Sequence, residues 1–156
     1  NTNPEPLEEV VSEAVQRLRK RLPMAKVRVQ VPEELLMVPM DAMLIEQVII
    51  NLLENGVYHS GRDTIDLCVR KENGQVAFHV QDYGKGIPPD RLNTIFDGGG
   101  MDLNQSGDSH RGMGIGLTIC KTIVHAHQGT ICARNQEQGA EFIFTLPLGE
   151  DKNDGE

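Results

Sequence analysis

The chain of 156 residues has the size of one ordinary domain, and its 38% of hydrophobic residues can supply a buried core. A formal net charge of −8 argues against a general nucleic-acid or anionic-membrane binder, because no excess of Lys and Arg is available to neutralise phosphates. The cysteines, Cys68, Cys120 and Cys132, have no C-x-x-C spacing, so a disulfide framework or zinc site is not indicated and a reducing, cytosolic setting is favoured.

Apolar spacing predicts one helix and two short strands in the first forty residues. Residues 7–22 place apolar side chains every three or four positions, which is typical of an amphipathic helix. Valines alternate over residues 27–31 as in a strand, and residues 35–38 lie between two prolines, which favours an edge strand. Asp41 is a suitable N-cap for the next helix, which we expect over residues 42–59.

The second predicted helix carries an unusual polar stripe. Steps of three and four place a set of polar residues beside an otherwise apolar surface: Gln47, Asn51, Glu54, Asn55 and Tyr58. A solvated face more often holds Lys and Glu, whereas asparagine amides offer neutral oxygen ligands to a hard cation such as Mg²⁺. A metal or ligand site and a plain solvent-facing stripe both remain open at this point.

Two further strands form a hairpin that leads to an acidic residue. Apolar residues alternate over residues 64–70 and 76–80, on either side of the turn Glu72-Asn73-Gly74. Asp82 has the parity of the apolar residues of the second strand, so its carboxylate points to the buried side if the strand continues. A buried carboxylate needs a partner, such as a donor on a bound ligand. Alternatively, the strand ends early and Asp82 only starts a turn. His79 has the opposite parity and is predicted on the surface.

The segment from residue 90 to 110 has no apolar periodicity beyond Ile95 and Phe96. It is rich in Gly, Ser, Asp and Asn, too long for a simple connection and too polar to pack. These properties indicate either a mobile lid over a site or plain disorder.

Three glycines at alternate positions, Gly112, Gly114 and Gly116, precede an apolar stretch with helical spacing. A glycine loop at a helix N-terminus can offer backbone N–H groups to a phosphate. The simpler interpretation is a flexible entry to the third helix, which we expect from about Ile115 to Gln128.

The last part of the chain predicts two strands, over residues 130–135 and 140–146, and a disordered acidic tail over residues 150–156. His125 and His127 lie two positions apart near the helix end. Helical geometry does not bring these rings together, so a satisfied or solvated histidine is favoured over a metal ligand.

Four separated motifs stand in a particular order: Asn51-Leu-Leu-Glu54-Asn55, Asp82-Tyr-Gly84-Lys-Gly86-Ile87, Ile95-Phe96-Asp97 and Gly112-Met-Gly114-Ile-Gly116-Leu117. This order resembles the N, G1, F and G2 boxes of the ATP-binding catalytic domain of bacterial sensor histidine kinases, in the wider family that includes gyrase and MutL ATPases. The resemblance covers about residues 41–147. The short sequences Gly-Ile-Pro-Pro and Phe-Thr-Leu-Pro are similar to those of the KdpD kinases.

The resemblance implies the Bergerat ATP-binding fold, an α/β two-layer sandwich whose mixed, mainly antiparallel sheet carries three helices on one face. One catalytic domain would occupy residues 1–149, followed by the disordered tail at 150–156. The implied cofactors are ATP and Mg²⁺.

The resemblance also assigns the contacts to the base. Asp82 would accept a hydrogen bond from the adenine amino group. Gly84 and Gly86 would let the chain pass close to the base, and Ile87 would pack on it. Thr145 would help to hold a water between Asp82 and the ring.

The implied phosphate contacts come from two helices. Asn55 would ligate Mg²⁺ that bridges the phosphates, Asn51 would support it, and the glycine run would wrap the phosphates with backbone donors. Glu54 would act as the general base that polarises the acceptor histidine. The full set of implied nucleotide-binding residues is Asn51, Asn55, Tyr58, His59, Asp82, Gly84, Lys85, Gly86, Ile87, Phe96, Arg111, Gly112, Met113, Gly114, Ile115, Gly116, Leu117 and Thr145.

The implied reaction is transfer of the ATP γ-phosphate to a histidine. None of the five histidines has the neighbours of the family's phosphoacceptor motif, so we expect that histidine on a separate dimerisation domain. The expected partners are that domain and, indirectly, a response regulator. We expect an isolated monomer, a homodimer for the full-length kinase, and a cytoplasmic domain of an inner-membrane-anchored sensor.

The chain departs from the family pattern at two places. Tyr58-His59 replaces the usual Lys-Tyr, which removes a phosphate-neutralising ammonium; Arg111, Lys85 or a partly protonated His59 could compensate, but weaker MgATP binding is expected. Glycines at 98–100 replace the second phenylalanine of the F box, so the lid is expected to be unusually mobile. The alternatives are a degenerate nucleotide-sensing module without phosphotransfer and, less favoured, a gyrase- or MutL-type ATPase.

Overall fold

The computed structural model describes residues 1–97 and 108–149, with the side chains of the second segment described from residue 116. The described helices are α1 (Leu7–Arg21), α2 (Ala42–Ser60) and α3 (Asp108–Ala126), with a 3₁₀ turn at Pro89–Arg91. The described strands are β1 (Asn3–Pro6), β2 (Lys26–Gln30), β3 (Met37–Met40), β4 (Thr64–Glu72), β5 (Gln75–Gln81), β6 (Thr130–Asn135) and β7 (Ala140–Pro147). None of these helices is long and apolar enough to cross a membrane.

Five strands form the main sheet in the order β2-β4-β5-β7-β6, and β1 pairs with β3 in a separate antiparallel ribbon. β2 runs parallel to β4, while the β4–β5, β5–β7 and β6–β7 pairs are antiparallel. The predicted α/β sandwich with a mixed, mainly antiparallel sheet and three helices is therefore confirmed.

The helices cover one face of the sheet, where alternate strand residues form a continuous core with apolar helix residues. Phe78 of β5 and Phe144 of β7 stack at the centre, with ring centroids 4.3 Å apart. Phe78 lies on the face that the alternation over residues 76–80 predicted to be apolar. The opposite face carries mainly polar residues, among them His79 and Glu141.

Helix α2 is the central helix of the covering layer, in contact with both α1 and α3. The Asp41 carboxylate accepts a hydrogen bond from the Leu44 N–H at 3.2 Å, as expected of the N-cap. Gly61 ends the helix in the left-handed conformation, with a φ of 70°. The predicted bounds of α2 are one residue short at the C-terminal end.

The structure corrects the prediction at two elements. β1 was not predicted, because its sequence, Asn-Pro-Glu-Pro, has no apolar alternation and it forms by pairing with β3. α3 begins at Asp108 and not after the glycine run. Glycine costs a helix only about 1 kcal/mol relative to alanine, and no proline interrupts residues 108–126, so the helix can extend through the glycines.

Two predictions fall on residues that the structure does not describe. Residues 98–107 of the expected lid segment (90–110) and the expected tail, residues 150–156, lie outside the described residues. Both stay predictions, as does the domain boundary at residue 149.

Candidate nucleotide-binding site

Asp82 follows the last residue of β5 and is almost completely buried, with 1% of its surface exposed. Its Oδ1 accepts hydrogen bonds from the backbone N–H groups of Gly84, at 3.0 Å, and Ala140, at 3.1 Å. Within the described residues no hydrogen bond reaches Oδ2. The inward carboxylate predicted from strand parity is confirmed, and one of its oxygens remains as a hydrogen-bond acceptor.

Two glycines allow backbone segments to approach this carboxylate. Gly139 has a φ of +92°, and a Cβ there would lie 2.1 Å from the Asp82 carbonyl oxygen. A Cβ on Gly84 would lie 2.5 Å from the Cα of Ser60, at the end of α2. Since these neighbours are backbone atoms, neither can move aside as a side chain would. Gly84 was predicted from its motif, whereas Gly139 was not assigned to the site.

The turn after β5, residues 82–87 and hereafter the Asp82 turn, is held by side chains from other elements. The amide of Asn135 pairs with both the N–H and the carbonyl of Ile87, each at 2.8 Å. Gln138 donates to the Tyr83 carbonyl at 3.1 Å. The sequence analysis missed Asn135 and Gln138, because their contacts depend on the pairing of strands distant in sequence.

The Tyr83 ring attaches the Asp82 turn to the edge of the sheet. Its hydroxyl donates to Asp66, and Arg28 donates to the same carboxylate at 2.6 Å. The hydrogen bond to Asp66 raises the pKa of Tyr83, so the phenol stays protonated at neutral pH. The cluster therefore joins β2, β4 and the turn.

The polar stripe of α2 lies where the sequence predicted it. Gln47 donates to Asn51 Oδ1 at 2.8 Å, and Asn51 Nδ2 lies 3.5 Å from the Gly116 carbonyl. Asn55 is 5% exposed, and no hydrogen bond reaches its amide from residues 1–97 or 116–149. Asn51 is thus fixed by neighbours on α2 and α3, while the Asn55 amide keeps its hydrogen-bonding capacity.

Cys120 packs beneath this stripe. Burial raises the pKa of its thiol to about 12, and a hydrogen bond with Asn51 offsets part of that rise. The group is therefore a neutral, structural thiol.

Glu54 forms an ion pair with Arg21 of α1, with Nε and Oε2 2.8 Å apart. Burial raises the pKa of the Glu54 carboxyl, and the charge of Arg21 counteracts part of this rise. The carboxylate therefore has a structural partner on α1, and its role as a general base stays a prediction.

A cleft of about 490 Å³ lies between the end of α2 and the Asp82 turn. It is lined by Tyr58, His59, Ser60, Gly61, Arg62, Gly84 and Lys85. The structure thus brings two predicted site residues of α2, Tyr58 and His59, next to two of the turn, Gly84 and Lys85. Lys85 supplies an ammonium group close to the position where Tyr58 replaces the usual lysine.

Residues 40–150 match the family described as histidine kinase-, DNA gyrase B- and HSP90-like ATPases. The chain belongs to this family. It is 48% identical over 143 residues to the sensor protein KdpD of Clostridium acetobutylicum and 43% identical over 145 residues to KdpD of Escherichia coli. Each alignment covers 90% of this chain but only 16% of the relative, so the chain spans about a sixth of their length.

The solved structures agree with this assignment. The catalytic domain of the histidine kinase ThkA superposes with a TM-score of 0.78 at 26% identity, covering 95% of this chain and 96% of that one. ThkA in complex with the response regulator protein TrrA matches with a TM-score of 0.76 at 26% identity, covering 94% of this chain and 42% of that one. The fold is that of the histidine kinase catalytic domain.

One residue that the histidine kinase resemblance assigned to the site lies elsewhere. Thr145 of β7 pairs with Ala77 of β5, five positions along the ladder from Asp82, which is roughly 17 Å at 3.4 Å per residue. Its hydroxyl is 2.8 Å from that of Thr130. The β7 residue beside Asp82 is Ala140, which has no hydroxyl, so the predicted water contact through Thr145 is wrong.

The G2 box of this histidine kinase-like domain also differs from the prediction. Its residues 112–116 lie within α3, where backbone N–H groups bond to carbonyls four residues earlier, so they do not form the predicted loop. The side chains of Arg111, Met113 and Ile115 lie outside the described set. Leu117 is buried in the core at 4% exposure.

The start of the F box is anchored to the core. Phe96 is 8% exposed and contacts Phe142 edge to face, with centroids 5.8 Å apart. Asp97 forms an ion pair with Lys121 of α3 at 3.4 Å. These contacts fix residues 96 and 97, within the segment predicted as a lid.

Proposed function

We propose that this domain binds MgATP and transfers the γ-phosphate to a histidine on a separate phosphoacceptor domain. The observation that supports it best is the buried Asp82 carboxylate, held by two backbone N–H groups on one oxygen while the other oxygen is left as an acceptor. A pocket built around such an acceptor selects a ligand that carries a matching N–H donor.

Adenine has that donor in its exocyclic amino group, and guanine presents a carbonyl at the equivalent position. The Asp82 oxygen would bind the amino group, with Gly86 and the buried Ile87 against the ring. Because the carboxylate is already oriented by Gly84 and Ala140, little reorganisation accompanies binding.

The residues present also fit Mg²⁺ bound through the phosphates. Asn55 has a buried amide without a hydrogen-bond partner in the described residues, and its neutral oxygen is a suitable ligand for a hard cation. When bound, the ion would neutralise phosphate charge. Asn51, held by Gln47, would keep the neighbouring surface polar and ordered.

The phosphates would be held by Lys85 and by the N-terminal part of α3. Gly112 and Gly114 lower the cost of opening the first turns of that helix, so their N–H groups can be released to a phosphate. Phosphate recognition would then rely on α3 and Lys85 more than in relatives with a lysine at position 58.

Two of the described histidines, His79 and His127, are engaged in contacts within the domain. His127 accepts from the Asp41 N–H at 3.0 Å and donates to the Ile123 carbonyl at 2.9 Å, so both ring nitrogens are occupied. His79 bonds to Glu141 at 3.0 Å on the polar face of the sheet. The acceptor would be on the dimerisation domain of the same kinase, in a homodimer that passes phosphate to a response regulator and is anchored in the inner membrane.

A nucleotide titration with and without Mg²⁺ tests the site. Asp82→Asn replaces the acceptor oxygen by a donor and should weaken ATP binding roughly ten- to hundred-fold, by the usual magnitude of a charged hydrogen bond. Asn55→Ala should abolish the gain in affinity that Mg²⁺ gives. Asp90→Asn, at an exposed aspartate, is the matched control. Unchanged binding by both site variants would contradict the proposal.

A second candidate is a nucleotide sensor without phosphotransfer, which Tyr58 in place of lysine favours. Mixing the domain with its own phosphoacceptor domain and ATP labelled at the γ-phosphate separates the two functions. Phosphohistidine forms only in the first case, and stable binding without labelling supports the second.

A further inference from the structure

Asn135, the last residue of β6, forms with the Asp82 turn the hydrogen bonds that a neighbouring strand would otherwise form. Its Oδ1 accepts from the Ile87 N–H and its Nδ2 donates to the Ile87 carbonyl, both at 2.8 Å. Both polar groups of one peptide position are thus satisfied by one side chain.

The backbone of the Asp82 turn depends on hydrogen bonds from side chains. Among the described residues, no backbone-to-backbone hydrogen bond reaches residues 83–87. Their backbone is held by the side chains of Asp82, Gln138 and Asn135, of which Asn135 contributes two bonds.

Gly86 packs directly against the Asn135 amide. It has a φ of +88°, and a Cβ there would lie 2.8 Å from Asn135 Oδ1 and 3.4 Å from the Gly139 carbonyl oxygen. Gly139 in turn packs against the Asp82 carbonyl oxygen. A contiguous set of contacts therefore connects Asn135 to the carboxylate that we propose binds the base.

We propose that Asn135 is a positioning residue of the adenine pocket, which fixes Gly86 and Ile87 relative to Asp82. This inference rests on the proposed function. Asparagine fits because its short amide offers one acceptor and one donor in the spacing of a peptide group. Aspartate keeps the acceptor but loses the donor, and alanine loses both.

The test compares Asn135→Ala and Asn135→Asp with the wild-type domain, using ATP, ADP and AMP with and without Mg²⁺. Asn135→Ala should raise the Kd of all three nucleotides by the same factor, about ten-fold, because two ordinary hydrogen bonds are lost. The ratio of Kd values with and without Mg²⁺ should not change, in contrast to Asn55→Ala. Asn135→Asp should also weaken binding, because an oxygen then faces the Ile87 carbonyl.

Gln136→Ala is the matched control. Gln136 is adjacent in sequence but donates to Glu141 on the polar face of the sheet, so nucleotide affinity should not change. Circular dichroism and thermal unfolding establish that each variant is folded at the temperature of the titration. A purely structural role would lower the melting temperature and leave the Kd of the folded domain unchanged, which would overturn the inference.

Hydrogen exchange of the Ile87 amide in the same samples separates the two proposals. We expect faster exchange in Asn135→Ala than in the wild type, relative to amides of β5. A wild-type domain that does not bind ATP would overturn the proposed function, whereas unchanged Ile87 protection in the variant would overturn the positioning role of Asn135. Normal ATP binding by folded Asn135→Asp would also overturn it.

Discussion

At the scale of single residues, contacts with neighbouring backbone distinguish the glycines that cannot be replaced from those that can. Gly139 and Gly74 both have a positive φ, of +92° and +81°, yet only Gly139 has backbone atoms within van der Waals distance of an added Cβ. An alanine at Gly74 would therefore incur only the conformational cost of the left-handed backbone. An alanine at Gly139 would incur that cost and would also collide with neighbouring backbone atoms.

Gly139→Ala should destabilise the domain by about 3 kcal/mol and abolish nucleotide binding, because the methyl group would meet the Asp82 carbonyl oxygen. Gly74→Ala is the control, since nothing lies within 4 Å of its added Cβ; it should cost only about 1 kcal/mol from strain at positive φ. Urea unfolding measures both. Equal losses in the two variants would show that the contact with Asp82 is unimportant.

The variant Glu54→Gln distinguishes a catalytic role of Glu54 from a purely structural role in the ion pair with Arg21. If Glu54 is the general base, phosphotransfer to the acceptor domain should fall by roughly a hundred-fold or more in kcat, with unchanged ATP affinity. Arg21→Ala is the companion variant, because it removes the ion pair and leaves the carboxylate. A small, similar effect of both variants on kcat would assign Glu54 to packing.

The pH dependence of stability gives a second measurement on Glu54. Burial raises the pKa of this carboxyl above its unfolded value, so the fold favours the protonated form. Its contribution to the free energy of unfolding is present below the unfolded pKa and is lost as pH rises through the folded pKa. Glu54→Gln should remove that part of the pH dependence in urea unfolding between pH 4 and 7.

At the scale of elements, one histidine connects the start of α2 to the end of α3. The Asp41 N–H donates to His127 Nε2, and His127 Nδ1 donates to the Ile123 carbonyl. The neutral ring thus satisfies polar groups at two helix ends, as the interpretation of a satisfied histidine predicted.

His127→Ala should destabilise the domain by about 2 kcal/mol, because the Asp41 N–H loses its partner and a buried ring is removed. His125→Ala, two residues earlier and exposed, should have almost no effect. Chemical denaturation followed by circular dichroism gives both values. A loss as large in His125→Ala would contradict the assigned contact.

Sequence patterns predicted those features that depend on residues close together in the chain. Strand parity placed Asp82 on the buried side, and helical spacing placed Asn51 and Asn55 on one stripe, because both periodicities act over a few residues. Thr145 was misplaced because its neighbours are set by the register of β5 and β7. Asn135 was missed for the same reason, since its partner Ile87 is 48 residues away.

The start of α3 was predicted wrongly for a different reason. Alternating glycines are compatible with both a loop and a helix, and a propensity difference of about 1 kcal/mol per glycine does not decide between them. The four motifs identified the family nevertheless, because their order along the chain carries that information independently of the local conformation.

At the scale of the whole molecule, the two faces of the sheet differ in chemistry. The helix-covered face is apolar, while the other face contains a network in which Glu141 accepts from Arg134 at 2.9 Å and from Gln136 at 2.5 Å. His79 bonds to the second oxygen of Glu141, and only 12% of its side chain is exposed. The predicted outward orientation of His79 is confirmed, although neighbouring side chains cover most of the ring.

Stability in acid should depend on this network. Burial alone would raise the pKa of Glu141, but hydrogen bonds from Arg134, His79 and Gln136 outweigh it and hold the pKa below its ordinary value. The contribution of Glu141 is therefore present above its unfolded pKa and is lost as pH falls through the folded pKa.

Glu141→Gln should lower the free energy of unfolding by about 1 to 2 kcal/mol at pH 7, and the difference from the wild type should shrink towards pH 3. Urea unfolding across this pH range measures it. Glu34→Gln, at an exposed ion pair with Lys71, is the control and should change stability by less than about 1 kcal/mol. A difference that is constant with pH would contradict the role of the network.

The contact of Gly84 with Ser60 has a mechanical consequence. Because the two backbones pack together without an intervening side chain, the Asp82 turn cannot approach the end of α2 more closely, and a side chain at position 84 would push the two apart. We expect this packing to restrict their relative motion and therefore the variation in the spacing between Lys85 and Tyr58. Relaxation measurements on the amides of Ser60 and Gly84 should accordingly give matching amplitudes on the nanosecond timescale.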